Sequence, residues 1–168
     1  MDLSRKTDYA LKMLSALVEN PDGVLSVRTV ARNADVPYSF ARSIQHDLAV
    51  AGIVENTRGA NGGMRLSADP REVTLLQVVE AVQGPVALSP CLGAGRDGAT
   101  CPNRSECRYT AVWCNATNAL RAMLGSVTLH QLVVERLSPV MEGSFRLVPE
   151  PQARARCDSA GGEGGATA

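Results

Sequence analysis

Residues 37–66 read PYSFARSIQHDLAVAGIVENTRGANGGMRL, and this stretch changes its period halfway along. In the first half Phe40, Ile44, Leu48 and Ala49 recur at helical spacing, which predicts a helix from Pro37 to about Ala51 with those four side chains inward. Pro37 fits a first helical turn, where its missing N–H costs nothing, and Gly52 is placed to stop the helix. The second half holds two strand-like pieces, 53–57 and 64–67, around Arg58-Gly59-Ala60-Asn61-Gly62-Gly63. Asn-Gly-Gly supplies the positive-φ positions that a hairpin tip requires.

Working outward, Ser4 is a candidate N-cap for a helix from Arg5 to about Glu19, with Tyr9, Ala10, Met13, Leu14, Leu17 and Val18 along one face. The turn cluster Asn20-Pro21-Asp22-Gly23 ends it. Ser26 opens a short second helix carrying Val27, Val30 and Ala31, and residues 33–37 form a tight connection to the third. Three helices followed by a glycine-tipped hairpin is the order of a winged helix-turn-helix. Downstream, 74–82 reads as a fourth helix with Leu75, Leu76, Val78, Val79 and Val82 as its apolar residues, ended by Gly84-Pro85. The stretch from Pro90 to Cys107 has little apolar periodicity. A long helix resumes over 108–124, with Val112, Trp113, Ala116, Leu120, Met123 and Leu124 as an apolar stripe, and 128–137 predicts one more short helix. The closing SAGGEGGATA has the composition of a flexible tail. The chain thus divides into a winged helix-turn-helix over 1–84, a cysteine-containing segment with the long helix over 85–140, and a tail over 141–168. The fold class is mainly α.

The 168 residues carry 17 Lys+Arg against 17 Asp+Glu, so the formal net charge is zero. A nucleic-acid role cannot rest on overall basicity, the usual footprint of such a role; it must rest on where the arginines fall. In a helix-turn-helix the first turns of the recognition helix face base edges in the major groove. Here they present Tyr38, Ser39, Arg42, Ser43 and His46. Arg42 has the geometry for a bidentate contact with guanine. Arg58, at the base of the hairpin, is placed for a minor groove or a phosphate. Arg28, Arg32 and Lys6 are candidates for phosphate contacts, which position a protein without specifying sequence. Each of these arginines also has a plain reading as a solvated surface charge. Asp35, Asp47 and Glu55 reduce the local positive charge. Double-stranded DNA is the expected partner. A winged fold that only binds other proteins is the competing class.

No signal-peptide core opens the chain and no stretch approaches the length of a membrane span, so a cytoplasmic location with no membrane partner is expected. In a reducing compartment five cysteines are not expected to form a disulfide framework. Cys91, Cys101 and Cys107 are separated by nine and then five residues, without a C-x-x-C. Such a set fits an iron–sulfur cluster, whose irons favour thiolate. It also fits zinc, redox-active thiols, or three unrelated loop cysteines. Cys114 lies beside Trp113 on the long helix and reads as a buried or interface cysteine. Cys157 falls in the tail. The chain lacks a glycine-rich phosphate loop and a Ser-His-Asp set, so an enzyme is not expected.

The sequence resembles the Rrf-two family of bacterial winged-helix transcription regulators, closest to its NsrR/RirA branch. The resemblance runs from about Met1 to Val140. It is carried by LSRKTDYALKML, VPYSFARSIQHDLAVAGIV, TRGANGGMRL, VTLLQVVEAVQGP, CPNRSECRYTAVW and SVTLHQLV. It implies a homodimer paired through the long helix, with one cluster per subunit, and it matches Cys91, Cys101 and Cys107 to the three cluster cysteines. The loop between the first two is longer here than is common in the family. The histidine that IscR-like members place three residues after the last cysteine is Thr110 in this chain. NsrR-like members use an aspartate on the first helix, given by the partner subunit, and Asp8 stands at that position. An aspartate there is equally what a helix N-terminus favours electrostatically. The resemblance implies DNA contacts at Ser39 and Arg58, and puts Arg42 where IscR has an acidic base-reading residue. The expected function is an operator-binding regulator controlled by a cluster, four-iron rather than two-iron, that senses nitric oxide, redox state or iron. The alternative is a metal-free, thiol-based redox regulator.

Overall fold

In the computed structural model the described residues are 3–21, 23–59, 62–89, 92 and 107–137. The element order is α1 (Arg5–Val18), α2 (Val27–Asn33), α3 (Tyr38–Val50), β1 (Val54–Thr57), β2 (Gly63–Leu66), α4 (Leu75–Gln83), α5 (Thr110–Gly125) and α6 (Leu129–Val133). Helix starts obey capping chemistry. The hydroxyls of Ser4, Ser26, Thr74 and Thr128 accept from the third backbone N–H of α1, α2, α4 and α6 in turn. At Thr74 and Thr128 a glutamine three residues on, Gln77 or Gln131, reaches back to the cap and closes a capping box.

The winged unit comprises Asp2–Gly84 and Leu124–Pro139. Its core is aliphatic: Met13, Leu14 and Leu17 of α1 meet Val30 of α2, Ala41, Ile44 and Leu48 of α3, Met64 of β2, Val78 of α4 and Leu129 of α6. The strands pair antiparallel in the register Val54↔Leu66, Glu55↔Arg65, Asn56↔Met64 and Thr57↔Gly63. A bridge between Leu25 and Met64 adds the segment before α2 as a third edge. This close approach is why position 63 is glycine. A Cβ there would stand 2.4 Å from the Leu25 carbonyl oxygen, closer than atoms can pack. The α6 segment joins α4 through Leu75 N–H to the Val127 carbonyl (2.8 Å) and Leu129 N–H to the Val73 carbonyl (2.9 Å).

The second unit contains Pro85–Met123. There Ala111, Cys114 and Thr117 form the buried side of α5, and the Thr117 hydroxyl accepts from Leu88 N–H at 3.2 Å.

One expected core side chain lies elsewhere. Phe40 is 43% exposed, and Ala41 takes the inward position one turn before Ile44. Helix α1 packs close to α3, which leaves room for a methyl group there. The Phe40 ring is displaced to the flank, where it meets Tyr9 edge-on at 5.5 Å. Helix α6 is also shorter than expected, ending at Val133. Val112 and Trp113, expected as part of an apolar stripe, are 59% and 44% exposed.

Candidate nucleic-acid interface

Helix α3 and the hairpin enclose an open cleft of about 650 Å³, with Ser26, Arg28, Tyr38, Arg42, Gln45, Asn56 and Thr57 among its lining residues. The floor is fixed by a side-chain tie: Gln45 Nε2 donates to Asn56 Oδ1 at 2.6 Å, joining the helix to β1. The upper wall is fixed by Arg28, whose guanidinium lies over the Tyr38 ring at 5.3 Å from its centroid. Stacking of this kind holds a cation in place while its N–H groups stay available to a phosphate.

Charge is partitioned around this cleft. Lys6 forms an ion pair with Asp47 (2.5 Å), and Arg65 pairs with Glu55. The Lys6 pair supplies the charge partner of Asp47 Oδ2, a buried oxygen with no hydrogen bond. Lys6, a candidate phosphate contact by sequence, is therefore committed to holding α1 against α3. Asp47 and Glu55 have their own cations, so they draw little on Arg42 or Arg58. Arg28, Arg32, Arg42 and Arg58 are all exposed, and none of them enters an ion pair among the described residues. A protein of zero formal net charge thus presents a locally basic face.

The structure brings Arg28, Tyr38 and Arg42 together on the cleft wall. Ser39 and Ser43 are exposed on α3 one turn apart, off that wall, and Arg58 is exposed just before Gly59, where the hairpin turns with φ 116°. Sequence reasoning missed Gln45 and Asn56. The signal for Gln45 was available: positions 38, 42 and 45 share one helix face.

The candidate cluster ligands are only partly within the described residues. Cys107 is half-buried and outside any disulfide, three residues before α5. Asp8 is exposed on the first turn of α1 and pairs with Lys12 at 3.1 Å, one turn on. Cys91 and Cys101 lie outside the described residues. Cys114 is buried and disulfide-bonded. Among the described residues no three His, Cys, Asp or Glu side chains gather as metal ligands. As a donor set, a thiol not consumed in a disulfide and a solvent-accessible carboxylate are chemically suited to iron.

A helix-turn-helix followed by a winged hairpin, with arginines lining the cleft between them, defines the class: a winged-helix nucleic-acid-binding protein. The chain belongs to the Rrf2 family, described as iron-dependent transcriptional regulators, whose model matches residues 3–135. It is 33% identical over 145 residues to the transcriptional repressor NsrR of Streptomyces coelicolor, covering 85% of this chain and 95% of that one. It is 32% identical over 135 residues to the transcriptional regulator NsrR of Shouchella clausii, covering 80% and 89%. These relatives place it on the NsrR-like branch, and they are named as regulators of transcription, not as enzymes. The solved structure of CymR, the global cysteine regulator of Bacillus subtilis, superposes with TM-score 0.61 at 24% identity, covering 80% of this chain and 98% of that one, which shows the shared fold. No helix among the described residues is long and apolar enough to cross a membrane.

Proposed function

We propose that this protein is a homodimeric repressor or activator that binds a palindromic double-stranded DNA operator, with its affinity set by an iron–sulfur cluster. The observation that carries the DNA half is the cleft itself: Arg42, without an ion pair among the described residues, lies between the fixed Arg28–Tyr38 stack and the Gln45–Asn56 tie. In this reading α3 enters the major groove, Arg42 reads a base, and Tyr38, Ser39 and Ser43 contact bases or adjacent phosphates. Arg28 and Arg58 neutralise phosphates on either side. The apolar stripe of α5, Val112 and Trp113 with Leu120 and Met123, pairs with the same stripe of a second copy, as a twofold interface requires.

Cys91, Cys101 and Cys107 would hold the cluster together with Asp8 of the partner subunit, in the four-iron form. When bound, the cluster supplies an iron whose oxygen ligand is weaker than thiolate, a site open to nitric oxide, oxidants or iron loss. The part of the chain is to supply that ligand from the first turn of the DNA-binding unit. Asp8 would thereby tie the cluster site to α1, and the Lys6–Asp47 pair joins α1 to α3. Anaerobic purification with iron and sulfide analysis and a visible absorption spectrum tests this reading. The expected result is a brown protein carrying about four irons per subunit that loses iron in Asp8→Ala. Colourless protein after anaerobic reconstitution contradicts it.

The disulfide at Cys114 favours a second reading, a metal-free thiol switch. Colourless protein whose operator affinity changes on oxidation, and no longer changes in Cys114→Ser, is the result that selects it.

A further inference from the structure

Gln83 is the last residue of α4, and its amide oxygen is the meeting point of two segments distant in sequence. Oε1 accepts from the backbone N–H of Ser4 at 3.2 Å and from the hydroxyl of Thr7 at 2.7 Å. The Ser4 N–H can only donate, so the oxygen of the amide must face it. The remaining protons then have one arrangement. The Thr7 hydroxyl gives its proton to Gln83, so the Ser4 hydroxyl donates to Thr7 Oγ1 at 3.1 Å and accepts from Thr7 N–H at 3.3 Å. Two bonds tie the first turn of α1 to the end of α4, and two more join Ser4 to Thr7 beside them. Thr7 is 1% exposed, one of three buried polar residues among those described, so an unmet hydroxyl there would be costly.

Each end of this lock adjoins a segment assigned to the cluster. Asp8 is the residue after Thr7. Gly84, with φ 85°, is the residue after Gln83, and there the chain leaves the winged unit for the cysteine-bearing segment. Glycine adopts that positive φ without strain, and the ring of Pro85 fixes its own φ at that exit. Resting on the assignment of Asp8 and the cysteines made above, we propose that Gln83 is a positioning residue that couples the cysteine segment to the Asp8 turn, so that the cluster state of a subunit is felt at the ligand it lends to its partner. In the dimer this links the two clusters through each winged unit. Without the lock, the Asp8 turn and the exit of the cysteine segment move independently.

The test compares Gln83→Leu, which keeps bulk and removes the acceptor, with Gln83→Glu, whose carboxylate still accepts both protons. Thr7→Val removes the hydroxyl from the other end and serves if Gln83→Leu does not fold. Two readouts are taken. In metal-free protein, amide exchange over residues 4–8 is expected to quicken about ten-fold in Gln83→Leu, the equivalent of one lost hydrogen bond, and to stay near wild type in Gln83→Glu. The ratio of operator Kd values for cluster-free and cluster-loaded protein is expected to fall about ten-fold in Gln83→Leu and Thr7→Val, while Gln83→Glu keeps it. A merely structural role would move both Kd values together and leave the ratio alone. A ratio unchanged in Gln83→Leu overturns the coupling, whether or not exchange quickens, and so does a ratio that falls equally in Gln83→Glu. A wild-type ratio of one, with iron content untouched by Asp8→Ala, overturns the cluster reading itself and the coupling with it.

Discussion

Helices α3 and α5 are built alike and finished differently. Each buries one face: Ala41, Ile44 and Leu48 on α3, Ala111, Cys114 and Thr117 on α5. The outer face of α3 carries Ser39, Arg42, Ser43 and His46, exposed polar side chains that the proposed function sets against phosphates and base edges. The outer face of α5 carries Val112 and Trp113, with Tyr109 just before the helix at 68% exposure. Large apolar side chains in one exposed stripe mark a surface made to meet another protein surface. One helix thus exposes a polar, arginine-bearing face and the other an apolar one, the contrast on which the proposed function rests.

The contrast can be broken at either helix. The largest effect is expected where the recognition face loses its wing. Gly63→Ala forces a Cβ against the Leu25 carbonyl, and chemical denaturation should show a loss of about 3 kcal/mol, with operator binding falling in parallel. Next is Trp113→Asp, which places a charge in the apolar stripe. Sedimentation should show dimer association weakened by about 2 kcal/mol or more, roughly 30-fold in Kd, with the fold of the winged unit retained. Arg42→Ala should cost about 1–2 kcal/mol on a selected operator and almost nothing on random duplex, because a base contact carries specificity. The smallest effect sharpens the contrast. Arg28→Ala should weaken all duplexes alike and lower the slope of log K against log salt by about 0.9, the signature of one phosphate contact. An unchanged slope would assign Arg28 to the Tyr38 stack alone.

Much of this fold is legible in local sequence because local chemistry decides it. Ser4, Ser26, Thr74 and Thr128 announce their helices, and Asn61-Gly62-Gly63 announces the hairpin. Phe40 is the instructive miss. Helical spacing says which side a residue lies on, but only the separation of α1 and α3 decides whether that slot holds a ring or a methyl group. Lys6 is similar: its charge is visible in sequence, and its commitment to Asp47 depends on how two helices pack. The ties from Gln83 to Ser4 and Thr7 span 79 and 76 residues, and no local pattern encodes them. Of the candidate site, Arg28, Tyr38 and Arg42 were readable from the helix-turn-helix pattern. Asp8 was readable only through family resemblance, since its local role as a first-turn acid is already sufficient reason for it.

The most direct measurement is fluorescence anisotropy on a palindromic duplex selected from a random pool, titrated anaerobically with cluster-loaded and metal-free protein at one salt concentration. The account predicts that the two Kd values differ by at least about ten-fold, the scale of an ordinary allosteric coupling, and that Arg42→Ala weakens both. Equal Kd values for the two forms, or selected binding indifferent to Arg42, would contradict it.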